Sequence, residues 1–161
     1  MDLPTAWNPD DKSTYTHLSV DSSGLRVNHE DLIMSDVVGA IRANHPIPPQ
    51  CKLFYFEVDI IMGEGKNKWI RIGFCEKEVN LNRMPGWDDV SWGYHGDNGY
   101  FYCCSRRGSP YGPSFSTGDT IGCCLNFKNN TVFYTKNGIN LGSYCKSFRV
   151  MPFYIMRITM V

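Results

Sequence analysis

Apolar and polar side chains alternate along much of this sequence, most clearly at residues 54–61. Apolar Phe54, Phe56, Val58 and Ile60 alternate there with Tyr55, Glu57, Asp59 and Ile61. Successive side chains on a strand point to opposite faces, so this period of two predicts a β-strand with one buried face. Further strands are predicted at residues 18–22, 25–28, 37–43, 69–75, 91–95, 100–104 and 151–158.

Residues 117–142 predict three consecutive antiparallel strands. The first strand covers residues 120–127, and Lys128-Asn129-Asn130 has the residue types of a tight hairpin turn. The return strand at residues 131–135 is rich in β-branched and aromatic residues, and Asn137-Gly138 is a strong hairpin signal before the third strand. Such a meander has an apolar face that needs a second layer to cover it.

Apolar residues show no sustained spacing of i, i+3, i+4 and i+7, which a helix packed on a core would need. About ten short strands separated by turn signals instead predict an all-β fold, a sandwich of antiparallel sheets.

Composition narrows the class of protein. The 161 residues suffice for one domain with its own core, and 42% of them are hydrophobic, as in a folded chain. Sixteen basic and 16 acidic residues give a formal net charge of zero, which argues against general binding to nucleic acid or anionic membranes. No apolar run approaches about 18 residues, and the first residues show no secretory signal. We expect a cytoplasmic protein, with the nucleus as a second location.

Seven cysteines are present, and two pairs of them are adjacent, Cys103-Cys104 and Cys123-Cys124. Neighbouring residues of a strand face opposite ways, so neither pair is expected to serve one metal ion. No paired CxxC motif occurs, and the odd total argues against a full disulfide framework. We expect reduced thiols used as small apolar residues, no metal and no cofactor.

Several long motifs follow one another in a consistent order. They lie at residues 42–48 (RANHPIP), 54–60 (FYFEVDI), 85–99 (PGWDDVSWGYHGDNG), 110–122 (PYGPSFSTGDTIG) and 133–142 (FYTKNGINLG). Together these motifs resemble a SPRY domain of the RanBPM type (Ran-binding protein in the microtubule-organising centre). The resemblance implies a bent sandwich of two antiparallel sheets, like a concanavalin-type jelly roll, that binds proteins through its loops without catalysis. RanBPM-type proteins are scaffolds of a ubiquitin ligase, so a monomeric adaptor with a protein or peptide partner is expected.

Residues 1–16 are expected to pack on the domain through Trp7, and the alternative is a mobile tail. The chain departs from the family's pattern, since residues 17–161 are expected to form a SPRY domain that lacks the family's final strand. Arg71 stands where the RanBPM type has a small residue, and Arg106-Arg107 make one loop unusually basic. A nematode secreted effector, a more distant match, is the alternative identity and would place the protein outside the cell.

The motifs nominate a partner-binding set, carried over from SPRY domains that bind short peptides: Arg42, Ala43, Asn44, His45, Pro46, Trp87 and Asp88. Prolines stiffen the first loop, which lowers the entropy cost of binding. Tryptophan and arginine often dominate interface energies, and Arg42 could bind a carboxylate or amide of a peptide. The alternative is that Trp87 packs its own loop and Arg42 pairs with a nearby acid.

Two other functions remain open from the sequence. A lectin-like site would use Trp87, Asp88, Asp97 and Asn98, because such residues stack on and hydrogen-bond to sugars. A thiol enzyme is disfavoured because no cysteine lies at a helix N-terminus or in a basic turn that would lower its pKa. We expect His45 and His95 to be loop histidines rather than catalytic bases.

Overall fold

The computed structural model describes residues 2–29, 38–61, 69–84, 86–145 and 153–160. The strands there are β1 (Trp7–Lys12), β2 (Leu18–Val20), β3 (Val27–His29), β4 (Val38–Ala43), β5 (Leu53–Asp59), β6 (Trp69–Cys75), β7 (Ser91–His95), β8 (Tyr100–Cys103), β9 (Ser109–Pro110), β10 (Thr120–Asn126), β11 (Thr131–Lys136), β12 (Ile139–Cys145) and β13 (Tyr154–Met160). A 3-10 turn at Pro49–Cys51 precedes β5. No helix in these ranges is long and apolar enough to cross a membrane.

The strands form two main antiparallel sheets and a separate β2–β3 hairpin. The larger sheet has seven strands in the order β1-β4-β13-β6-β7-β8-β9, and the smaller has four in the order β12-β11-β10-β5. Every paired strand in both sheets runs antiparallel to its neighbours. The prediction of an all-β antiparallel sandwich is therefore confirmed.

Aromatic side chains from the two sheets fill the space between them. Phe74 of β6 meets Phe56 of β5 edge to face at 5.8 Å between ring centroids, and Tyr94 of β7 lies 5.4 Å from Tyr134 of β11. Trp92 of β7 is also buried in this core. Because each ring removes a large apolar area from water, these contacts fix how the two sheets pack.

The meander predicted from residues 117–142 is present as β10, β11 and β12. The turn residues Asn130, Asn137 and Gly138 all have positive φ, at 54°, 51° and 81°. Asparagine and glycine tolerate this left-handed conformation better than other residues. The residue types that predicted the two hairpins are therefore those that the backbone of their turns requires.

Two strands lie where the sequence showed no alternation. β1, with the sequence WNPDDK, is an edge strand whose pairing to β4 shifts register between Trp7 and Lys12. Proline and charged residues are tolerated at a sheet edge, where one side of the backbone needs no ladder bonds. β9 is a two-residue pairing that lies between the predicted strands at residues 100–104 and 120–127. Residues 63–67, whose sequence GEGKN predicts a turn, lie outside the described residues. So do Val37, Met151 and Pro152, which belong to two of the predicted strands.

The prediction that adjacent thiols face opposite ways is wrong for Cys103 and Cys104. Strand β8 ends at Cys103, and Cys104 adopts a φ of 51°, which turns its side chain back so that the two Sγ atoms lie 3.8 Å apart. Cys123 and Cys124 remain within β10, where both are buried. Alternation of side chains therefore holds only while the backbone stays extended.

Candidate partner-binding site

The loops that hold the nominated residues meet at one end of the seven-stranded sheet. Arg42 pairs with Met156 near the start of β13, and β13 in turn brings Tyr154 beside Cys75 at the end of β6. Cys75 also pairs with Ser91, the first residue of β7. Neighbouring strands lie about 4.8 Å apart, so β4 and β7 are about 14 Å apart at this end. We call residues 44–48, 76–84, 86–90 and 104–108 the loop face.

Arg42 lies beneath the loop face rather than on it. Only 5% of the residue is exposed. Its Nε and Nη2 donate to the two carboxylate oxygens of Asp11 at 3.0 and 2.8 Å, and its Nη1 donates to the backbone oxygens of Glu76 and Lys77. The guanidinium is thus fully engaged within the chain, as in the alternative stated from sequence, and its role here is to hold the start of loop 76–90.

The electrostatics of this pair favour its charged form. Burial alone would raise the pKa of Asp11, but hydrogen bonds and positive charges from Arg42 and Lys77 outweigh burial and lower it below the ordinary 3.8. Burial likewise acts to lower the pKa of Arg42, and the bond to Asp11 reverses this. Tyr154 adds a ring beneath both cations, 5.5 Å from the guanidinium and 5.2 Å from Lys77 Nζ.

Asn44 fastens the N-terminal segment to the loop after β4. Its Oδ1 accepts from the backbone N–H groups of Thr5 and Ala6 at 3.1 and 3.3 Å, and its Nδ2 donates to Thr5 Oγ1 at 3.0 Å. Ala43 is buried at 4% exposure, whereas His45 and Pro46 are half-buried. Of the five nominated residues at the end of β4 and in the loop after it, His45 and Pro46 have side chains open to a partner.

Trp87 is half-buried at the surface of the loop face. The guanidinium carbon of Arg106 lies 5.6 Å from the centre of the Trp87 ring, a cation–π arrangement. The indole N–H is buried without an acceptor among the described residues. Asp88 accepts a bond from Arg83 at 2.8 Å. Arg106 was not nominated from the sequence, although two adjacent arginines in a loop rich in glycine and proline were a usable signal.

The residues proposed for a lectin-like site do not come together. Trp87 and Asp88 precede β7, whereas Asp97 and Asn98 follow it, so the two pairs lie at opposite ends of a five-residue strand. At about 3.3 Å per residue, that separation is at least about 13 Å. The expectation that His95 is a loop histidine is also wrong, since it ends β7 with 1% exposure and its Nδ1 accepts a bond from Arg71.

The buried thiols are held in the neutral form. Burial raises the pKa of Cys75 to about 12, despite nearby Arg42, and raises that of Cys124 to about 11. Cys123 is shifted in the same direction by burial. Because a thiolate is the reactive species, these three cysteines are unreactive at neutral pH.

Comparisons with known proteins agree with this architecture. The sequence model described as "SPRY domain" matches residues 53–158. Ran-binding protein 10 of Danio rerio is 48% identical over 147 residues, which are 87% of this chain and 23% of that protein. Ran-binding protein 9 of Homo sapiens is 50% identical over 141 residues, covering 87% of this chain and 19% of that protein. The chain thus spans less than a quarter of the length of these relatives.

A solved human SPRY domain superposes on the chain with a TM-score of 0.71. Their sequences are 27% identical, and the superposition covers 89% of this chain and 88% of that domain. The resemblance to RanBPM-type SPRY domains stated from the sequence is therefore confirmed. With a matching family model over most of its length, relatives at about half identity and a shared sandwich, the chain belongs to the SPRY domain family, a family of protein-interaction modules.

Proposed function

We propose that the loop face binds a segment of a partner protein and that the chain acts as a non-catalytic adaptor. The observation that carries this proposal is Trp87, a half-buried indole with Arg106 above its ring, at the end of the sheet where the loops meet. Aromatic and arginine side chains in such positions most often dominate binding energies. His45 and Pro46 add partly exposed surface at the same end.

The loop face is held in place before any partner arrives. Arg42 fixes the backbone at Glu76 and Lys77. Ser91 Oγ accepts a hydrogen bond from the Gly86 N–H and donates one to the backbone oxygen of Asp88, both at 2.9 Å. Loops that are already ordered lose little conformational entropy on binding. This rigidity supports recognition of a defined peptide or protein surface.

We further propose a place for the chain in a larger scaffold. The relatives are named as Ran-binding proteins, and this chain matches about a fifth of their length. A docking module within a cytoplasmic and nuclear scaffold, linked to ubiquitin-ligase or signalling assemblies, is consistent with that relationship.

The test is a selection of peptides from a random display library, followed by titration of the enriched peptides and of purified Ran. Trp87→Ala should weaken binding of the true ligand by about 2 kcal/mol, roughly 30-fold, as expected for an interface anchor. Trp87→Phe keeps an aromatic ring and should retain most of the affinity. Circular dichroism should show both variants folded.

Ile139→Ala is the matched control. Ile139 is 68% exposed in the β11–β12 hairpin, at the other end of the sandwich. The Ile139→Ala substitution removes a large apolar side chain that does not touch the loop face, so the affinity for the ligand should not change. Ligands that bind the Trp87→Ala protein as tightly as the wild type would show that the loop face is not their binding site.

A further inference from the structure

Cys103 and Cys104 bring two thiols together at the edge of the loop face. Cys103 ends β8 and is 8% exposed, whereas Cys104 is half-buried in the connection from β8 to β9. Their Sγ atoms lie 3.8 Å apart. A disulfide bond joins its sulfur atoms at about 2.05 Å, so the two atoms need to approach by about 1.8 Å to form one.

An uncommon backbone conformation produces this arrangement. Cys104 has a φ of 51°, in the left-handed region that few residues other than glycine adopt. Its N–H donates to the backbone oxygen of Ser91 at 3.0 Å, and its Sγ donates to the same oxygen at 3.8 Å. In an extended strand the two cysteine side chains would point to opposite faces. Residues held in such conformations are concentrated at functional sites, and this one aligns two thiols.

Access to solvent sets this pair apart from three other cysteines. Cys75, Cys123 and Cys124 are at most 1% exposed, and burial raises the pKa of each of them. Oxidation requires a thiol that the oxidant can reach, and a redox-sensing cysteine commonly has a second, resolving thiol beside it. Cys104 is accessible enough for the first role, and Cys103 has the position of the resolving thiol.

The residues that follow the thiol pair contact the segment that holds Trp87. The N–H of Ser105 donates to the backbone oxygen of Gly86 at 2.8 Å, and Arg106 places its guanidinium carbon 5.6 Å from the centre of the Trp87 ring. Adjacent Cα atoms lie about 3.8 Å apart across a trans peptide, closer than the roughly 4.4–6.8 Å usual for a disulfide. A bond between the two sulfurs therefore requires a backbone change at residues 103–105, which moves Arg106 relative to Trp87.

We propose that Cys103 and Cys104 form a reversible oxidation site, at which hydrogen peroxide converts the two thiols to a disulfide and thereby alters the loop face. The Cys104 thiolate attacks one peroxide oxygen, the O–O bond breaks, and the hydroxide that leaves takes up the proton of that thiol as water. The sulfur of Cys103 then attacks the sulfenic acid, the S–S bond forms, and the S–O bond breaks to release a second water. Two electrons pass from the thiols to the peroxide. Because the bond between neighbouring residues is strained, a dithiol reduces it readily.

The test is treatment of the purified protein with hydrogen peroxide, followed by alkylation, trypsin digestion and mass spectrometry. Trypsin releases residues 84–106, whose only cysteines are Cys103 and Cys104. The disulfide should lower the mass of this peptide by about 2 Da, block its alkylation and disappear with dithiothreitol. Cys104→Ser should remove this product, and Cys103→Ser should stop the reaction at a sulfenic acid that dimedone traps. Cys51→Ser, which removes a half-buried thiol elsewhere, is the control and should form the disulfide as the wild type does.

Oxidation should also shift the NMR resonance of the Trp87 indole N–H, which the Trp87→Phe variant assigns. This readout needs no ligand, so it holds even if the loop face binds no partner. The effect on binding rests on the proposed function, and ligands that depend on Trp87 should bind the oxidised protein severalfold more weakly.

Three results would overturn the oxidation site. They are a peptide 84–106 that keeps both thiols, oxidation that goes directly to sulfinic acid, and a disulfide that forms only between two molecules. A disulfide that leaves the Trp87 resonance unchanged would overturn the connection to the loop face.

Discussion

Arg42 joins three separate parts of the chain through one guanidinium group. It lies in β4, bonds Asp11 in β1 and holds two carbonyl oxygens at the start of loop 76–90. A buried charge that loses its partner is costly, because neither water nor another ion compensates it. The residue therefore organises the loop face from below, although it does not touch a ligand there.

Replacing Arg42 should destabilise the domain. Arg42→Ala leaves Asp11 partly buried without its main partner, and we expect a loss of about 3 kcal/mol in the free energy of unfolding. Urea denaturation followed by circular dichroism measures this loss. Arg107→Ala, at an exposed loop position, is the control and should change stability by less than about 0.5 kcal/mol. A similar small effect for Arg42→Ala would mean that the ion pair contributes little.

The same pair predicts a pH dependence. The pKa of Asp11 is lowered in the folded state, so its contribution is fully present above the ordinary value of 3.8 and is lost as pH falls through the folded pKa. The difference in unfolding free energy between wild type and Asp11→Asn should be constant from pH 5 to 7 and shrink below about 3.8. Denaturation at a series of pH values tests this. A difference that stays constant down to pH 2 would contradict it.

The sequence could indicate only part of this arrangement. An arginine inside an alternating strand pattern suggests a paired charge, and pairing with an acid was one reading of Arg42. Its partner, Asp11, lies 31 residues away in a polar segment without periodicity. Nothing in the pattern of β1 shows that it pairs with β4, so the identity of the acid was set by tertiary pairing alone.

Among the elements, β6 and β7 approach each other unusually closely. Gly73 pairs with Gly93, and a Cβ at Gly73 would lie 1.7 Å from the backbone oxygen of Trp92. No side chain can yield at such a contact, because the obstructing atom belongs to the backbone. These two strands carry Phe74, Trp92 and Tyr94, so their spacing affects the centre of the core.

Gly73→Ala should therefore be strongly destabilising, by about 3 kcal/mol or more. Gly138→Ala is the matched comparison, because Gly138 has a φ of 81° but open space around it, and should lose only about 1 kcal/mol from backbone strain. Thermal and urea denaturation of both variants measure the difference. Equal losses would mean that β6 and β7 can separate to admit a methyl group.

The elements differ in how well alternation predicts them. Strands β5, β7 and β10 have clear β-forming sequences and lie close to their predicted positions. Gly138 carried a turn signal because its neighbour is asparagine, whereas Gly73 lies inside a strand where only the facing backbone requires glycine. The need for glycine at position 73 comes from the neighbouring strand β7, so it cannot be inferred from the periodicity of β6 alone.

At the scale of the whole molecule, the loop face is connected to the N-terminal segment. Asn44 belongs to the loop face, and its side chain bonds Thr5 and Ala6. The sequence placed residues 42–46 and Trp87 in one candidate site, and both loops do lie at one end of the sheet. The part that Asn44 plays in this connection was not foreseen, because it depends on how β1 pairs with β4.

Removing the Asn44 side chain should loosen the N-terminal segment at residues 5–7. Asn44→Ala loses three hydrogen bonds but keeps the backbone bond from its own N–H to Ala6. Each bond contributes about 0.5–1.5 kcal/mol net, so amide exchange at residues 5–7 should accelerate at least about fivefold. The N–H of Trp7, which donates to Gly24 at 2.8 Å, is a suitable reporter.

Asn98→Ala is the control, since Asn98 Oδ1 accepts a comparable bond from the Tyr100 amide at the other end of β7. This variant should leave exchange at residues 5–7 unchanged. Unchanged exchange in Asn44→Ala would show that the pairing of β1 with β4 and the backbone bond to Ala6 hold the N-terminal segment without the Asn44 side chain.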